Sequence, residues 1–339
     1  MVTERLLAEI RVDLDGVLPL VLPLIAAWAA RPLSERLPPR TATWVLTAVA
    51  TGLAVTGAIA LAVPVLGGAL RLPDVAALGH LSPRTLRHAE LSNGLLACTS
   101  GMVLAASLGA AMCAALRQAR ALLGARRAAR ALPGAGVLAV IDDDSVEAFA
   151  LPGRPGRVVV SAGMLAVLDP AERRALLAHE HAHLDGHHHL FRAAVRVAVA
   201  ANPLLWPLKQ AIGYTTERWA DEHAAAVVGD RRRAAQAIGK AALAHGRRPG
   251  PRHAGALGIG SAPAWMASWA GPAGRGWVRT GPVPRRVAAL LRPAPPRRAG
   301  LAVVTVALLL TSVVAVHDGA ADLHQLIEHA QVHRLGRSG

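Results

Sequence analysis

Four stretches of the chain run apolar and uncharged over lengths that approach or exceed a bilayer crossing. Trp44 to Leu70 contains no charged side chain and is the clearest of them. Gly94 to Leu116 is the next clearest. Gly300 to Val316 is shorter but strongly apolar around Leu308, Leu309 and Leu310, and Gly16 to Ala30 is short and carries Pro19 and Pro23. A spanning helix takes about 20 such residues. The pattern predicts a mainly α, multi-span helical membrane protein with spans at residues 16–30, 44–70, 94–116 and 300–316. The first stretch also has a signal-peptide look, because Ala27-Trp28-Ala29 resembles a cleavage site. Against that, Glu4, Glu9, Asp13 and Asp15 outnumber Arg5 and Arg11 ahead of it, whereas a signal peptide begins basic.

Between the third and fourth spans the pattern changes. Val137 to Ile141 and Arg157 to Ser161 are short β-type runs, a small β element in an otherwise helical chain. The segment Leu151-Pro152-Gly153-Arg154-Pro155-Gly156 between them reads as a turn. Asp169-Pro170-Ala171-Glu172 then reads as a helix start, with Asp169 as N-cap, Pro170 at the first helical position and Glu172 closing a capping box. This helix is expected to run through Leu184, with Gly186 at its end. A second is expected over residues 193–210, interrupted at Asn202-Pro203, and a third over residues 214–228. Residues 246–298 are rich in Gly, Pro, Arg and Trp, and little regular structure is expected there beyond a short helix near Val287 to Leu291.

Composition supports the membrane reading. The chain has 339 residues, 53% hydrophobic and 3% aromatic, with a mean hydropathy of +0.36. A soluble protein this apolar has too little polar surface to cover itself. The net charge is +15, but no nucleic-acid motif accompanies it, and direct nucleic-acid binding is not expected. The basic residues instead give an orientation. Arg31, Arg36 and Arg40 follow the first span, and Arg117, Arg120, Arg126, Arg127 and Arg130 follow the third, so both places should be cytoplasmic. The chain is therefore divided into a membrane region at 1–116, a cytoplasmic domain at 117–299, the fourth span at 300–316 and a short extracytoplasmic tail at 317–339. Cys98 and Cys113 share one apolar run and have no CxxC partner, which excludes a disulfide framework and a Cys-rich zinc site. Both are expected to be buried.

The chemistry lies in the first cytoplasmic helix. Ala178-His179-Glu180-His181-Ala182-His183 contains HExxH. Positions four apart share a helix face, so His179 and His183 can present imidazoles to one zinc ion. Glu180 then stands within reach of a water that the ion activates, to take its proton and pass it to a leaving nitrogen. A catalytic zinc takes three protein ligands. Glu217, on a nearby helix, supplies the third, and Asp221, four residues on, accepts a hydrogen bond from a ligand histidine. His223 and Tyr214 are candidates for the oxyanion donor. Against this stand two plainer readings: solvated histidines on an ordinary helix, and a non-enzymatic metal-binding tract, since His187, His188 and His189 follow directly. An intact Glu180 favours the enzyme, because a metal carrier has no need of an acid between two ligands. His181 and His187 to His189 are read as surface or interfacial residues. Val158 to Ser161 is either an edge strand that pairs with substrate backbone or an ordinary half-buried strand.

The ordered set of motifs resembles the membrane zinc metallopeptidases of the BlaR/MecR type. The matching pieces are Ala148-Phe149-Ala150-Leu151-Pro152-Gly153, Val158 to Leu168, Asp169 to Glu172, the HExxH segment, Gly186-His187-His188, Asn202-Pro203-Leu204-Leu205-Trp206 and Glu217 to Asp221. The resemblance implies three spans, a cytoplasmic gluzincin-like zinc peptidase domain and a fourth span. It also implies His179, His183 and Glu217 as ligands of Zn2+ and Glu180 as base. The implied partners are a protein or peptide substrate, such as a BlaI-type transcriptional repressor cut in signal transduction, and membrane lipid. The sensor members carry a penicillin-binding domain after the fourth span; here only residues 317–339 follow, with no SxxK motif outside the membrane. HtpX-type quality-control peptidases and CAAX-processing peptidases share HExxH and ExxAD and are the nearest alternative.

Overall fold

A computed structural model describes residues 21–70, 72, 94–134, 136–247 and 282–293. The expected fourth span and tail lie outside these residues, as does the start of the first span. A helix over residues 21–36, α1, leads through Pro38 into α2 (Pro39–Ala69), which begins ahead of the apolar run because Pro39 takes a first-turn position. Among the described residues, two helices are long and apolar enough to cross a membrane, α2 and α3 (Gly94–Ala131). At 38 residues, α3 is about 57 Å long, against a hydrocarbon core of about 30 Å. The apolar run of Gly94 to Leu116 is long enough to fill such a core, and Arg117 to Arg130 continue the same helix past that run. Cys98 and Cys113 are exposed on α3. This corrects the expectation of burial, since α3 has almost no buried face among the described residues.

The two halves of α2 differ. Ala42, Thr43, Leu46, Val49, Ala50 and Leu53 form a buried stripe at helical spacing. They pack on Phe191, Val195, Leu205, Leu208 and Ile212. Polar contacts pin the same seam: Thr43 Oγ1 donates to Thr215 Oγ1 at 2.9 Å, and Arg218 Nη1 donates to the Ser34 carbonyl at 2.8 Å. Helices α1 and α2 thus share one core with the helices that follow the HExxH segment.

Three short strands follow, β1 (Leu138–Ile141), β2 (Ala148–Leu151) and β3 (Arg157–Ser161), in the order β1-β3-β2. β1 is parallel to β3 and β2 antiparallel to it. β2 was not expected, because its four residues carry no strong β-formers apart from Phe149 and it forms only by pairing with β3. β3 is central, so it offers no free edge to a substrate, which overturns the edge-strand reading of Val158 to Ser161. Its side chains alternate as a pleat requires. Val158 and Val160 join Val146, Met164 and Leu168 on one face, and Val159 joins Ala125, Ala129 and Leu151 under the basic end of α3 on the other. Arg157 ties that end down by donating to the carbonyls of Leu132, Pro133 and Gly134 at 2.8–2.9 Å.

A short helix α4 (Ala162–Val167) turns the chain into α5 (Pro170–Asp185), the HExxH helix. The capping box forms as the sequence predicts. Asp169 Oδ1 accepts from the amides of Ala171 and Glu172 at 2.8 Å, and Glu172 Oε2 accepts from the Asp169 amide at 2.9 Å. α6 (His188–Ala201) begins earlier than expected, and a 3-10 turn at Pro203–Leu205 divides it from α7 (Trp206–Val228). The expected break before Tyr214 is absent. Gly213 sits in the helix interior facing open space, and its helix penalty of about 1 kcal/mol is outweighed by the packing of Leu208, Ala211, Ile212 and Thr215. α8 (Arg231–Arg247) follows, and α9 (Pro282–Leu290) is the short helix expected near Val287, begun earlier.

Gly163, at the start of α4, has no room for a side chain: an added Cβ would lie 2.4 Å from the Asp144 carbonyl oxygen and 2.5 Å from that of Ser145. Both are backbone atoms held between β1 and β2. Gly163→Ala is expected to destabilise the fold by about 1–3 kcal/mol, read as a lower melting temperature in detergent; an unchanged melt would show that the loop yields freely.

Candidate active site

α5 and α7 cross so that four buried side chains meet. His179 (4% exposed), Glu180, Glu217 (5%) and Asp221 (1%) are buried, and His183 is half-buried beside them. The helical repeat puts His179 and His183 on one face of α5, and Glu217 and Asp221 on the facing side of α7. Nε2 of His179 lies 3.2 Å from Nε2 of His183. Glu217 Oε2 is 3.6 Å from the first nitrogen and Glu217 Oε1 is 3.6 Å from the second.

These separations test whether the residues fit a metal. Ligand atoms about 2.0–2.1 Å from a tetrahedral ion are about 3.3 Å apart. The two nitrogens and the Glu217 oxygens have that spacing already, and the three residues form a set able to hold a metal ion. Glu217 Oε2 is buried and makes no hydrogen bond, although the Arg286 guanidinium stands 2.9 Å from it. The residues fit.

The second nitrogens of both imidazoles are also engaged. His179 Nδ1 is 3.0 Å from Asp221 Oδ1, an ion-pair distance whose angle falls short of a hydrogen bond. His183 Nδ1 lies 2.7 Å from Nδ1 of His188, which is 1% exposed and packed against Trp219. That arrangement corrects the surface reading of His188. It depends on the α5–α6 turn, in which His187 takes the left-handed conformation (φ 50°). Gly186 leaves the space for His188, whose Nε2 would lie 2.5 Å from an added Cβ. His187 is exposed, and His181 turns back to the Leu177 carbonyl, 2.8 Å from its Nδ1.

Two arginines that sequence reasoning missed complete the cluster. Arg192, from α6, donates to Glu217 Oε1 and to Thr216 Oγ1. Arg286, from α9, donates to both oxygens of Asp221 and stands 2.9 Å from Glu217 Oε2. Arg192 had a faint signal, four residues past His188 on one helix face. Arg286 had none, since nothing in the sequence couples a short distant helix to α7.

The electrostatics follow from burial and these partners. Burial opposes charge on His179, but the carboxylates of Asp221 and Glu217 outweigh it and raise its pKa to about 9. Burial holds His183 neutral, well below the usual histidine range. Burial would raise Glu217, yet Arg286, His183 and Arg192 hold it well below the usual carboxylate range. Asp221 is also lowered, its burial outweighed by Arg286. Burial pushes Glu180 above the usual carboxylate range, against the pull of the His179 imidazole.

The two oxyanion candidates fare differently from the ligand set. His223 is exposed, because two residues along a helix from Asp221 point away from its face. Tyr214 is half-buried, with the Arg285 guanidinium 4.4 Å from its ring centroid and Arg218 at 5.8 Å.

Histidine must be neutral to bind a metal. Binding of a divalent metal ion at pH 7 is therefore expected to release about one proton per site, from His179, and the release should vanish above about pH 9. Calorimetry in buffers of different ionisation enthalpy measures this; metal binding at pH 7 without proton release would contradict it. Asp221→Ala is expected to weaken metal binding about 10- to 100-fold, measured by chelator competition.

No curated protein and no solved structure is significantly similar to the chain. A family model does match. Residues 115–205, from the basic half of α3 through HExxH to the turn before α7, match Peptidase family M48, so the segment carries the mark of a metallopeptidase.

Proposed function

We propose that the chain is a membrane-tethered zinc endopeptidase in which His179, His183 and Glu217 hold the metal and Glu180 is the catalytic base. The observation that carries this is the spacing of the two Nε2 atoms and the Glu217 oxygens, 3.2–3.6 Å, beside a buried glutamate. Two imidazoles and one carboxylate form the donor set that suits zinc with one position left open. Zinc held there supplies Lewis acidity to water and to the scissile carbonyl. Glu180 takes the proton of the attacking water and returns it to the leaving amide nitrogen. Asp221 and His188 hold the two imidazoles with Nε2 facing the ion. Of the two oxyanion candidates, His223 is exposed and Tyr214 is half-buried with its ring against Arg285.

The site is assigned to the cytoplasm, in a domain spanning 117–299, by the arginine bias around the first and third spans. A cytoplasmic regulatory protein is then the substrate class, with a BlaI-type repressor as the specific candidate by resemblance to BlaR/MecR-type peptidases. A second reading, an HtpX-type quality-control peptidase, draws on the same HExxH and Glu217–Asp221 pair. The M48 match does not select between them.

Glu180→Gln separates chemistry from architecture. It leaves the three ligands intact, so zinc content and membrane insertion should persist, while peptide cleavage falls by several orders of magnitude. Substrates are identified as proteins that accumulate in cells carrying Glu180→Gln. A single regulator among them supports signalling, and a broad set of damaged membrane proteins supports quality control. A zinc-loaded Glu180→Gln that cleaves at the wild-type rate sinks the mechanism. Reporter fusions at Arg130, Gly250 and Gly339 test the topology; Arg130 and Gly250 are expected inside and Gly339 outside.

A further inference from the structure

Arg286 comes to the cluster from α9, 65 residues beyond Asp221, and is 4% exposed. Its Nε donates to Asp221 Oδ2 at 2.8 Å and its Nη2 to Oδ1 at 2.6 Å, the two-pronged fork of a guanidinium on a carboxylate. Its third nitrogen, Nη1, stands 2.9 Å from Glu217 Oε2. One planar group therefore spans both carboxylates of α7. The same Asp221 Oδ1 is the atom 3.0 Å from His179 Nδ1.

We infer that Arg286 is a positioning residue of the metal centre, locking Asp221 and Glu217 so that His179 keeps its proton on Nδ1 and turns Nε2 to the ion. This rests on the reading of His179, His183 and Glu217 as ligands. For Glu217, charge compensation alone does not explain the contact, because Arg192 already engages its Oε1. What Arg286 adds is a fixed plane for Asp221, which a fork supplies and a point charge does not. Nor does Arg286 occupy the place of the metal. A carboxylate oxygen has two lone pairs, and the ligand atoms keep their 3.2–3.6 Å spacing with the guanidinium present.

The helix that delivers Arg286 is separately anchored. Leu290 packs with Ala225, Ala234 and Ala235, and its carbonyl accepts from Arg231 Nε at 2.9 Å. The adjacent Arg285 turns the other way, to Glu35 at 2.7 Å and the Tyr214 ring. Arg285 is therefore an internal control: the same helix and the same charge, but no contact with Asp221 or Glu217.

The test uses the full chain in detergent, with zinc affinity read by chelator competition and ligand geometry read from the visible absorption of the cobalt-substituted protein. Melting temperature and far-UV circular dichroism check the fold. Arg286→Ala is expected to weaken zinc binding about 10- to 100-fold and to alter the cobalt bands. Arg286→Lys should recover little of the loss, and Arg285→Ala should match wild type in both readouts. Unchanged or tighter zinc binding in Arg286→Ala overturns the inference, tighter binding marking the arginine as a competitor. Full recovery in Arg286→Lys overturns it in favour of charge alone, and an equal loss in Arg285→Ala overturns it in favour of a general need for α9. If Arg286→Ala does not fold, Arg286→Lys, which keeps the buried charge, decides: wild-type affinity and bands reject positioning. Failure of the wild-type chain to bind zinc or cobalt is a separate result and removes the ligand assignment itself.

Discussion

Glu217 and Asp221 carry two carboxylates into the protein interior on one face of α7, and the surrounding structure is arranged around keeping them charged there. An unpaired buried charge is strongly disfavoured. Here the compensation comes from three directions: the His179 imidazole of α5, the Arg192 guanidinium of α6 and the Arg286 guanidinium of α9. Each of these helices must therefore arrive at a fixed height and rotation. The packing seen elsewhere, from the capping box of α5 to the anchoring of Leu290, supplies those positions.

The same constraint links the site to the apolar helix α2 and to α1. α7 does not stand on the small sheet; its opposite side is seated on α1 and α2 through Thr43, Leu46, Leu53 and the Arg218–Ser34 contact. A displacement of α2 relative to α7 would be felt by a helix that holds two of the cluster's carboxylates. The sheet has a different task. Its central strand is buried on both faces and fixes the approach of α4 and then α5, so it serves as a support under the HExxH helix.

The histidine pair shows how two chemically equal ligands receive different environments. His179 faces a carboxylate at both ring nitrogens and is held toward the charged form; His183 is held neutral by burial, with another imidazole rather than a carboxylate at its Nδ1. The difference comes from the helix geometry. One turn separates them, so His179 looks toward α7 and His183 toward the α5–α6 turn, where Gly186 and the left-handed His187 bring His188 back against it.

What the sequence determined by itself was local or periodic. The apolar runs marked α2 and the first part of α3, the Asp169–Glu172 pattern marked the start of α5, and HExxH with Glu217 and Asp221 marked one face on each of two helices. These signals rest on short-range geometry: i to i+4 spacing, N-caps and runs long enough to span lipid. The tertiary structure decided the rest. Ala148–Leu151 became a strand only because β3 was there to pair with it, and β3 became central rather than an edge. Gly213 stayed helical because α7 is packed along its length. His188 changed from an apparent surface residue to a partner of His183 through a turn conformation that composition does not reveal. Arg286 joined Asp221 across 65 residues of chain, since a buried carboxylate takes whatever cation the fold delivers, and the spacing of a sequence does not encode which one arrives.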